Sequence, residues 1–193
     1  MTPKFFIASD IHGAAGYCQT MADRFRESGC DHLLLLGDLL YHGPRNDLPK
    51  GYHPKTVITI LNELAPKILC IEGNCESEVD RTVLNFPMQS ESMLLFLEGQ
   101  LFFVSHGHKY GEFHPMFHTP HFMIGGHTHI PKCRIYNGYV YLNPGSISMP
   151  KEGSDHSYMI LDGDRITWHS LTSDKIFREE SVAKLASEMT QFN

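Results

Sequence analysis

In its first half, the chain alternates short apolar runs with segments of helical periodicity. The runs at residues 4–9, 32–37 and 67–72 are bounded by polar residues, as is typical of buried strands. Between them, apolar residues recur at helical spacing in segments 15–28 and 55–64. This strand–helix–strand repetition predicts parallel strands joined by right-handed crossovers.

The second half has the pattern of hairpins. Three strand-like segments each carry a central turn signal. They are 92–105 with Gly99, 133–142 with Asn137-Gly138, and 158–168 with Asp162-Gly163. Residues 173–193 are predicted to form a polar tail, either a helix or a packing arm. We therefore predict an α/β fold with two sheets, one largely parallel and one richer in hairpins.

Composition narrows the classes of protein and partner. With 193 residues, 41% hydrophobic and 20% charged, the chain is expected to form a single domain over residues 1–193. Its net charge of -6 argues against a stable nucleic-acid complex. No apolar run approaches the ~20 residues of a membrane span, so no membrane partner is expected. Five scattered cysteines without a CxxC pair indicate a reducing, cytoplasmic location. The sequence is also compatible with a homo-oligomer.

Polar clusters follow several of the predicted strands, often beside a glycine. In chain order they are Asp10-Ile-His12, Gly37-Asp38, Gly73-Asn74, Ser105-His106-Gly-His108 and Gly126-His127-Thr-His129. Ligands of open α/β sheets bind at the carboxyl ends of strands, and glycine lets a backbone approach a ligand closely. If residues 124–131 formed a strand, His127 and His129 would point to the same face. The clusters are therefore expected to form one site.

The residue types in these clusters favour metal binding. Burying Asp10 and Asp38 together without a cation is costly, or keeps one of them protonated. A mixed oxygen and nitrogen donor set suits Mn, Fe, Zn or similar ions better than Ca or Mg. Because seven such ligands exceed the needs of one ion, we predict a two-metal site with ions ~3.5–4 Å apart.

Each of these residues also has a purely structural alternative. Asp10 can cap the helix that begins near residue 14, and Asp38 or Asn74 can stabilise a turn. The four histidines of the last two clusters can be exposed loop residues or the solvated face of an edge strand. The joint occurrence of the clusters at strand ends favours a common site.

The ordered motifs D-x-H, GD, GN, H and G-H-T-H resemble those of the calcineurin-like metallophosphoesterases over residues 10–148. The longer segments GDLLYHGPRN, GNCESEVD and NPGSISMPK are similar to the small bacterial YfcE-type phosphodiesterases of that superfamily. The resemblance implies a four-layer α/β/β/α sandwich, in which two mixed β-sheets are flanked by helices. It also implies that the metals bind at one edge of the sandwich.

By the same resemblance, seven side chains bind two divalent metal ions. One ion is held by Asp10, His12 and His129. The other is held by Asn74, His106 and His127, and Asp38 bridges both. An ionised aspartate has two acceptor oxygens and can span two ions, whereas Asn74 offers only its amide oxygen. Mn²⁺ is the leading candidate, with Zn²⁺, Fe, Ni²⁺ and Co²⁺ as alternatives.

The implied activity is hydrolysis of a small phosphodiester by in-line attack of a hydroxide that bridges the two ions. The ions lower the pKa of the bridging water, which becomes a nucleophile near neutral pH. Two carboxylates and one hydroxide offset all but one of the positive charges of the metals. The remaining charge attracts a monoanionic diester. Asp38 and Asn74 therefore count as catalytic residues as well as metal ligands.

Other side chains are candidates for contact with the substrate. Cys75 stands where many members of the wider superfamily have histidine, and a thiol is the poorer general acid. A packed, purely structural role is the alternative for Cys75. The long loop at residues 41–54 carries His42, Arg45 and Asn46. The planar fork of Arg45 suits phosphate, although a surface salt bridge is as plausible. His108 is a spare imidazole outside the ligand set.

Three rival functions are compatible with parts of this pattern. The retromer scaffold subunit has a similar fold and acts through protein contacts, but its metal ligands are degraded. A phosphomonoesterase or a nuclease of the same superfamily is a second alternative. A metallo-β-lactamase-type hydrolase requires H-x-H-x-D-H, which the chain lacks. All seven ligands are present here, which favours a metal-dependent phosphodiesterase.

Overall fold

A computed structural model describes residues 2–88, 90–114, 122–136 and 138–190 of the chain. Asn137 of the predicted Asn137-Gly138 turn, and residues 191–193 of the predicted tail, lie outside these residues. The strands are β1 (Phe5–Ala8), β2 (His32–Leu35), β3 (Ile68–Cys70), β4 (Ser92–Leu97), β5 (Gln100–Ser105), β6 (Phe122–Ile124), β7 (Lys132–Tyr136), β8 (Tyr139–Asn143), β9 (Ser157–Asp162), β10 (Arg165–Ser170) and β11 (Ile176–Ser181). The helices are α1 (Ala15–Ser28), α2 (Pro54–Glu63), α3 (Glu78–Val83) and α4 (Val182–Thr190), with a 3₁₀ turn at Ala65–Lys67.

The first sheet has six strands in the order β11-β10-β9-β1-β2-β3. As predicted from the strand–helix–strand pattern, β1 pairs in parallel with β2, and β2 with β3. The predicted hairpin at residues 158–168 forms β9 and β10, but β9 pairs antiparallel with β1 and so extends this first sheet. The sheet is therefore mixed, because period-two patterning identifies a strand without identifying its partner.

The second sheet has five strands in the order β4-β5-β6-β8-β7. Its outer pairs, β4–β5 and β7–β8, are the two predicted hairpins. The central strand β6 is parallel to both of its neighbours, β5 and β8. The expected fold class, an α/β fold with two mixed sheets flanked by helices, is confirmed.

Two of the buried apolar clusters join strand β1 to the layers on either side of it. Strand β1 alternates its side chains between them, because successive residues of a strand point to opposite faces. Phe6 packs against α1, with its ring edge-on to Phe25 at a centroid distance of 5.9 Å. Ile7 faces the cluster between the two sheets, which also contains Trp168. The indole N–H of Trp168 is satisfied by the carbonyl of Asn143 at 2.7 Å, so this core buries the ring without an unpaired donor.

The helices follow local signals, and the tail differs from its prediction. Helix α1 has the predicted bounds and ends at Gly29, whose φ of 65° is the left-handed conformation of a helix C-terminus. Helix α3 was not foreseen, although Ser77 and Asp80 form a capping box at its start. The tail begins with strand β11 and only then forms α4, which packs against β7, β8 and β11. Within the described residues, no helix is long and apolar enough to cross a membrane.

A close backbone approach joins the ends of β2 and β3. Gly37 has a φ of +94°, and a Cβ added there would lie 2.4 Å from the backbone nitrogen of Gly73. Gly73 in turn abuts Asp38. Since real Cβ atoms do not approach backbone this closely, both positions require glycine if the two strand ends are to meet.

The substitution Gly37→Ala should lower the free energy of unfolding by roughly 3–5 kcal/mol, because the new methyl group overlaps the backbone at Gly73. Gly99→Ala is the matched control, since Gly99 has a φ of +72° but no atom within 4 Å of an added Cβ. The control should lose only the ~1–2 kcal/mol cost of a left-handed alanine. Urea denaturation of the three proteins measures both losses. Equal losses in the two variants would contradict the close approach.

Candidate metal centre

The candidate ligands lie in loops at the carboxyl ends of five strands. These strands are parallel neighbours within their own sheets, so their ends meet along one edge of the sandwich. Asp10 and His12 follow β1, Asp38 follows β2, Asn74 follows β3, His106 follows β5, and His127 and His129 follow β6. The fold therefore brings together residues that are up to 119 positions apart, from 10 to 129.

Five of the seven ligands have left-handed backbone, which is rare for residues other than glycine. Their φ angles are 58° at Asp10, 49° at His12, 56° at Asp38, 62° at His127 and 63° at His129. Each costs of order 1–2 kcal/mol, and such strain clusters at functional sites. The strand considered for residues 124–131 is wrong beyond residue 124, because these turns break it. His127 and His129 therefore approach the centre from separate positions of a loop.

Asp10 lies at the middle of the centre and is fully buried. Its Oδ2 accepts a hydrogen bond from the backbone N–H of His127 at 3.0 Å. Its Oδ1 is also buried and has no hydrogen-bond partner among the described residues. Three imidazole Nε2 atoms surround that oxygen: His129 at 3.3 Å, His12 at 3.5 Å and His106 at 4.0 Å. A buried carboxylate oxygen in this setting requires a cation.

Asp38 lies beside Asp10 and is also buried. Its Oδ1 accepts a hydrogen bond from the backbone N–H of Cys75 at 2.9 Å. Its Oδ2 lies 3.4 Å from Nε2 of His106 and 3.7 Å from Nε2 of His12. Asn74 completes this side of the centre, with its Oδ1 3.1 Å from Nε2 of His106.

Backbone carbonyls orient three of the imidazoles. Nδ1 of His12 donates to the carbonyl of Tyr41 at 2.8 Å. Nδ1 of His106 donates to Leu36 and Nδ1 of His129 to Met149, both at 2.7 Å. Because Nδ1 makes this hydrogen bond, Nε2 faces the centre and can act as a metal ligand. Metal-binding histidines are commonly held in this way.

The carboxylates and imidazoles strongly perturb one another. Burial alone raises the pKa of Asp10, but its interactions with His12 and His129 prevail and lower it well below its usual range. Burial lowers the pKa of His106, yet Asp38 and Asp10 raise it to about 9. The pKa of His12 is also raised, because Asp10 outweighs burial. The carboxylates thus draw positive charge to the centre, and a metal ion supplies it without protonated imidazoles.

The spacing of the donor atoms fits metal coordination. Among the described residues there are three groups of side chains whose donor atoms all lie within 4.8 Å of one another inside the group. They are Asp10 with His12 and His129, Asp10 with Asp38 and His106, and His12 with Asp38 and Cys75. Ligands at ~2.0–2.2 Å from an ion lie about 3–3.5 Å apart in tetrahedral or octahedral geometry, similar to the contacts above.

Two histidines of the predicted polar clusters, His127 and His108, stand outside these groups. The ring of His127 is 5.1 Å from that of His106, and burial lowers the pKa of His127 to about 4, which leaves a neutral imidazole. His108 lies 5.5 Å from His106 and 6.1 Å from His127, between ring centroids. Its Nδ1 is buried without a partner among the described residues. His127 faces Asp10 through its backbone N–H, whereas His108 has no comparable contact.

The purely structural alternatives fail for most ligands. Helix α1 is capped at Ala14 without a side-chain hydrogen bond, so Asp10 is not its cap. Asn74 does not adopt the left-handed conformation of a turn residue. His106 and His129 are 0% and 3% exposed, which excludes solvated loop or edge positions for them.

A cavity of about 550 Å³ opens beside the centre and reaches His12, Asp38 and His129. Three of the candidate substrate contacts, Cys75, Arg45 and Asn46, line it. His42 does not line it. Instead, the ring of His42 packs edge-on against those of Tyr41 and Tyr52, at centroid distances of 4.7 and 5.4 Å.

The structure identifies further residues that sequence reasoning missed. The carboxylate of Glu76 accepts hydrogen bonds from three backbone N–H groups, at Gly73, Asp38 (2.9 Å) and Leu39 (2.7 Å). Burial and the charge of Asp38 raise the pKa of Glu76 to about 7. Its role could have been predicted from its position at the end of the GNCE motif, next to the candidate ligand Asn74 and Cys75.

Two serines support the centre through the backbone of Asp10. The hydroxyls of Ser146 and Ser148 both donate to the backbone carbonyl of Asp10, at 2.9 and 3.0 Å. The NPGSIS segment thus helps to fix the strained conformation of Asp10.

Comparisons with known proteins agree with this geometry. The model of the calcineurin-like phosphoesterase superfamily domain matches residues 4–165. Phosphodiesterase YfcE of Escherichia coli K12 is 39% identical over 180 residues, which is 93% of this chain and 98% of the relative. The probable metallophosphoesterase YsnB of Bacillus subtilis is 27% identical over 80% of this chain and 81% of its own length.

Solved structures have the same architecture. The structure of the E. coli phosphoesterase YfcE superposes with a TM-score of 0.87 at 38% identity, covering 93% of this chain and 99% of that one. Zinc-bound Vps29 from Entamoeba histolytica shares the fold at 18% identity, with a TM-score of 0.61 and coverage of 93% and 99%. The family match and the identity to YfcE together show that the chain belongs to the calcineurin-like phosphoesterase superfamily.

Proposed function

We propose that the protein hydrolyses a small phosphodiester at a centre of two divalent metal ions. As a member of its superfamily it is a metal-dependent phosphoesterase. The observation that carries the proposal is Oδ1 of Asp10, a buried carboxylate oxygen with no hydrogen-bond partner among the described residues and three imidazole nitrogens within 4.0 Å. Such an oxygen is what a metal centre requires and what a packed core avoids.

The ligand assignment that we propose divides the seven residues between two ions. Asp10, His12 and His129 would hold the first ion, Asn74, His106 and His127 would hold the second, and Asp38 would contribute to both. The donor distances support each assignment except that of His127, which rests on its position in the motif. The nitrogen and oxygen donors suit Mn²⁺, and they are compatible with Zn²⁺, Fe, Ni²⁺ or Co²⁺.

When bound, the ions supply a hydroxide nucleophile near neutral pH and offset the charge of the phosphodiester. The protein itself orients the metal ligands and the substrate. The carbonyls of Tyr41, Leu36 and Met149 fix the imidazoles, while Asn46 on the cavity wall meets the phosphate oxygens. His42 does not line the cavity and its ring packs against Tyr52, so its proposed role is to support this loop.

A phosphodiester is favoured over other phosphate esters by Cys75. Its thiol lines the cavity next to Asn74, and both burial and the charge of Asp38 raise its pKa, so it is neutral at physiological pH. A neutral thiol adds no positive charge next to the metal centre, where the reacting phosphate binds, and so does not help to bind a monoester dianion there. The name of the E. coli relative, a phosphodiesterase, supports the same choice.

A protein-binding scaffold is the second candidate, because the fold, which Vps29 shares, does not by itself imply catalysis. Against it stand the strained backbone and the buried Oδ1 of Asp10, which has no hydrogen-bond partner among the described residues; a scaffold needs neither. We also propose a cytoplasmic location, since all five cysteines are free thiols.

Removal of metal should abolish activity, and Mn²⁺ should restore it, because the hydroxide nucleophile depends on the bound ions. We expect the chelated protein to lose at least ~100-fold in turnover of bis(4-nitrophenyl) phosphate. Metal analysis of the reconstituted protein should find about two ions per chain. Full activity with only trace metal would contradict the metal centre.

Asp38→Asn should disturb both ions, because it removes the one charge that they share while preserving the side-chain shape. We expect kcat/KM to fall by at least ~100-fold, as for loss of a metal ligand. His108→Ala is the control, since His108 lies outside the donor groups, and it should stay within about threefold of wild type. Steady-state kinetics with saturating Mn²⁺ compares them. Near-normal turnover by Asp38→Asn would refute the shared position.

Cys75 should make the enzyme sensitive to the leaving group. A positioned general acid typically raises the rate by ~10²–10⁴-fold, and by more when the leaving group is basic. The neutral thiol of Cys75 is a weak acid and gives little of this assistance. Aryl diesters should therefore be cleaved well, and alkyl diesters and monoesters poorly. Cys75→His should flatten the plot of log kcat/KM against leaving-group pKa, whereas Cys75→Ala should change it little. An unchanged slope in the histidine variant, or a nearly inactive alanine variant, would overturn this role.

A further inference from the structure

The cavity beside the metal centre has a cation, Lys151 at the end of the NPGSISMPK segment, to which the sequence motifs assigned no role. Lys151 lines it, together with Arg45 from the loop after β2. We propose that Lys151 and Arg45 bind a second anionic group of the substrate, outside the metal centre. The substrate is then a phosphodiester with a further phosphate or carboxylate on one of its ester arms. This inference rests on the proposed phosphodiesterase activity.

The backbone of Lys151 is fixed with respect to the metal centre. Its N–H donates to the carbonyl of His129 at 3.3 Å. Its own carbonyl accepts from the N–H and the hydroxyl of Ser154, at 3.0 and 2.7 Å. The imidazole of His129 in turn bonds the carbonyl of Met149, two residues before Lys151. The lysine side chain therefore extends from a fixed point next to a proposed metal ligand.

Arg45 extends from a loop that is also held in place. The side chain of Asn46 donates to the carbonyl of His42 at 2.8 Å and closes the loop on itself. The ring of His42 packs against that of Tyr52. Two cations from separate segments of the chain are thus held at the same cavity.

The charges of these two residues are available to a ligand. Within the described part of the chain, neither Arg45 nor Lys151 has a carboxylate within the 4.0 Å of an ion pair. The protein as a whole carries a net charge of -6, so two free cations at one cavity focus positive potential there.

The charge of the metal centre determines how many anionic groups the cavity can hold. Two divalent ions, two carboxylates and a hydroxide leave about one positive charge, which balances a monoanionic diester. Arg45 and Lys151 add two more, beyond what such a diester needs. A second anionic group on the substrate accounts for this surplus. The volume of about 550 Å³ accommodates a ligand of nucleotide size.

The test uses two esters that differ only in a second phosphate. They are the 4-nitrophenyl ester of thymidine 5′-phosphate and the same ester carrying a 3′-phosphate. The Mn²⁺-loaded wild type should prefer the second by at least ~10-fold in kcat/KM, as expected for one charged hydrogen bond. Lys151→Met should reduce this preference to about one. Lys175→Met, which removes an exposed lysine that does not line the cavity, should retain it.

Calorimetry separates this inference from the proposed function. Thymidine 5′-phosphate and thymidine 3′,5′-bisphosphate are titrated into the Mn²⁺-loaded proteins, which requires no catalysis. Tighter binding of the bisphosphate that is lost in Lys151→Met supports the inference even if neither ester is hydrolysed. It is overturned if the wild type shows no preference, if Lys151→Met keeps the preference, or if Lys175→Met loses it equally.

Discussion

The burial of two carboxylates side by side is the constraint on which the rest of the structure depends. Asp10 and Asp38 are 0% and 2% exposed, and each lies within 4.0 Å of imidazole nitrogens. Such a pair is stable only where positive charge is supplied. The oriented histidines, the raised pKa of His106 and the unpartnered oxygen of Asp10 all follow from that requirement.

Much of the fold serves to hold this pair in place. Parallel strands in both sheets end at the same edge, and Gly37 and Gly73 let two of those ends touch. Left-handed backbone at five ligands costs of order 1–2 kcal/mol each. Glu76 and the hydroxyls of two serines offset part of this cost by hydrogen bonding the strained loops. The scaffold thus stabilises a site that is unfavourable by itself.

The sequence predicted those features that depend on local patterns. Helix α1 and strands β1 to β3 followed from apolar spacing, and the convergence of the candidate ligands from their positions after strands. Long-range pairing carries no such signal, so the joining of β9 to β1 and the edge strand β11 were not predicted. The packing of His42 between two tyrosines and the cavity position of Lys151 likewise depend on distant segments.

The central claim is that Asp38 is shared between two metal ions. Anomalous X-ray diffraction from crystals of the Mn²⁺-loaded protein tests it most directly. We predict two manganese peaks ~3.5–4 Å apart, one on each side of the Asp38 carboxylate. A single peak, or two peaks of which only one contacts Asp38, would contradict the account.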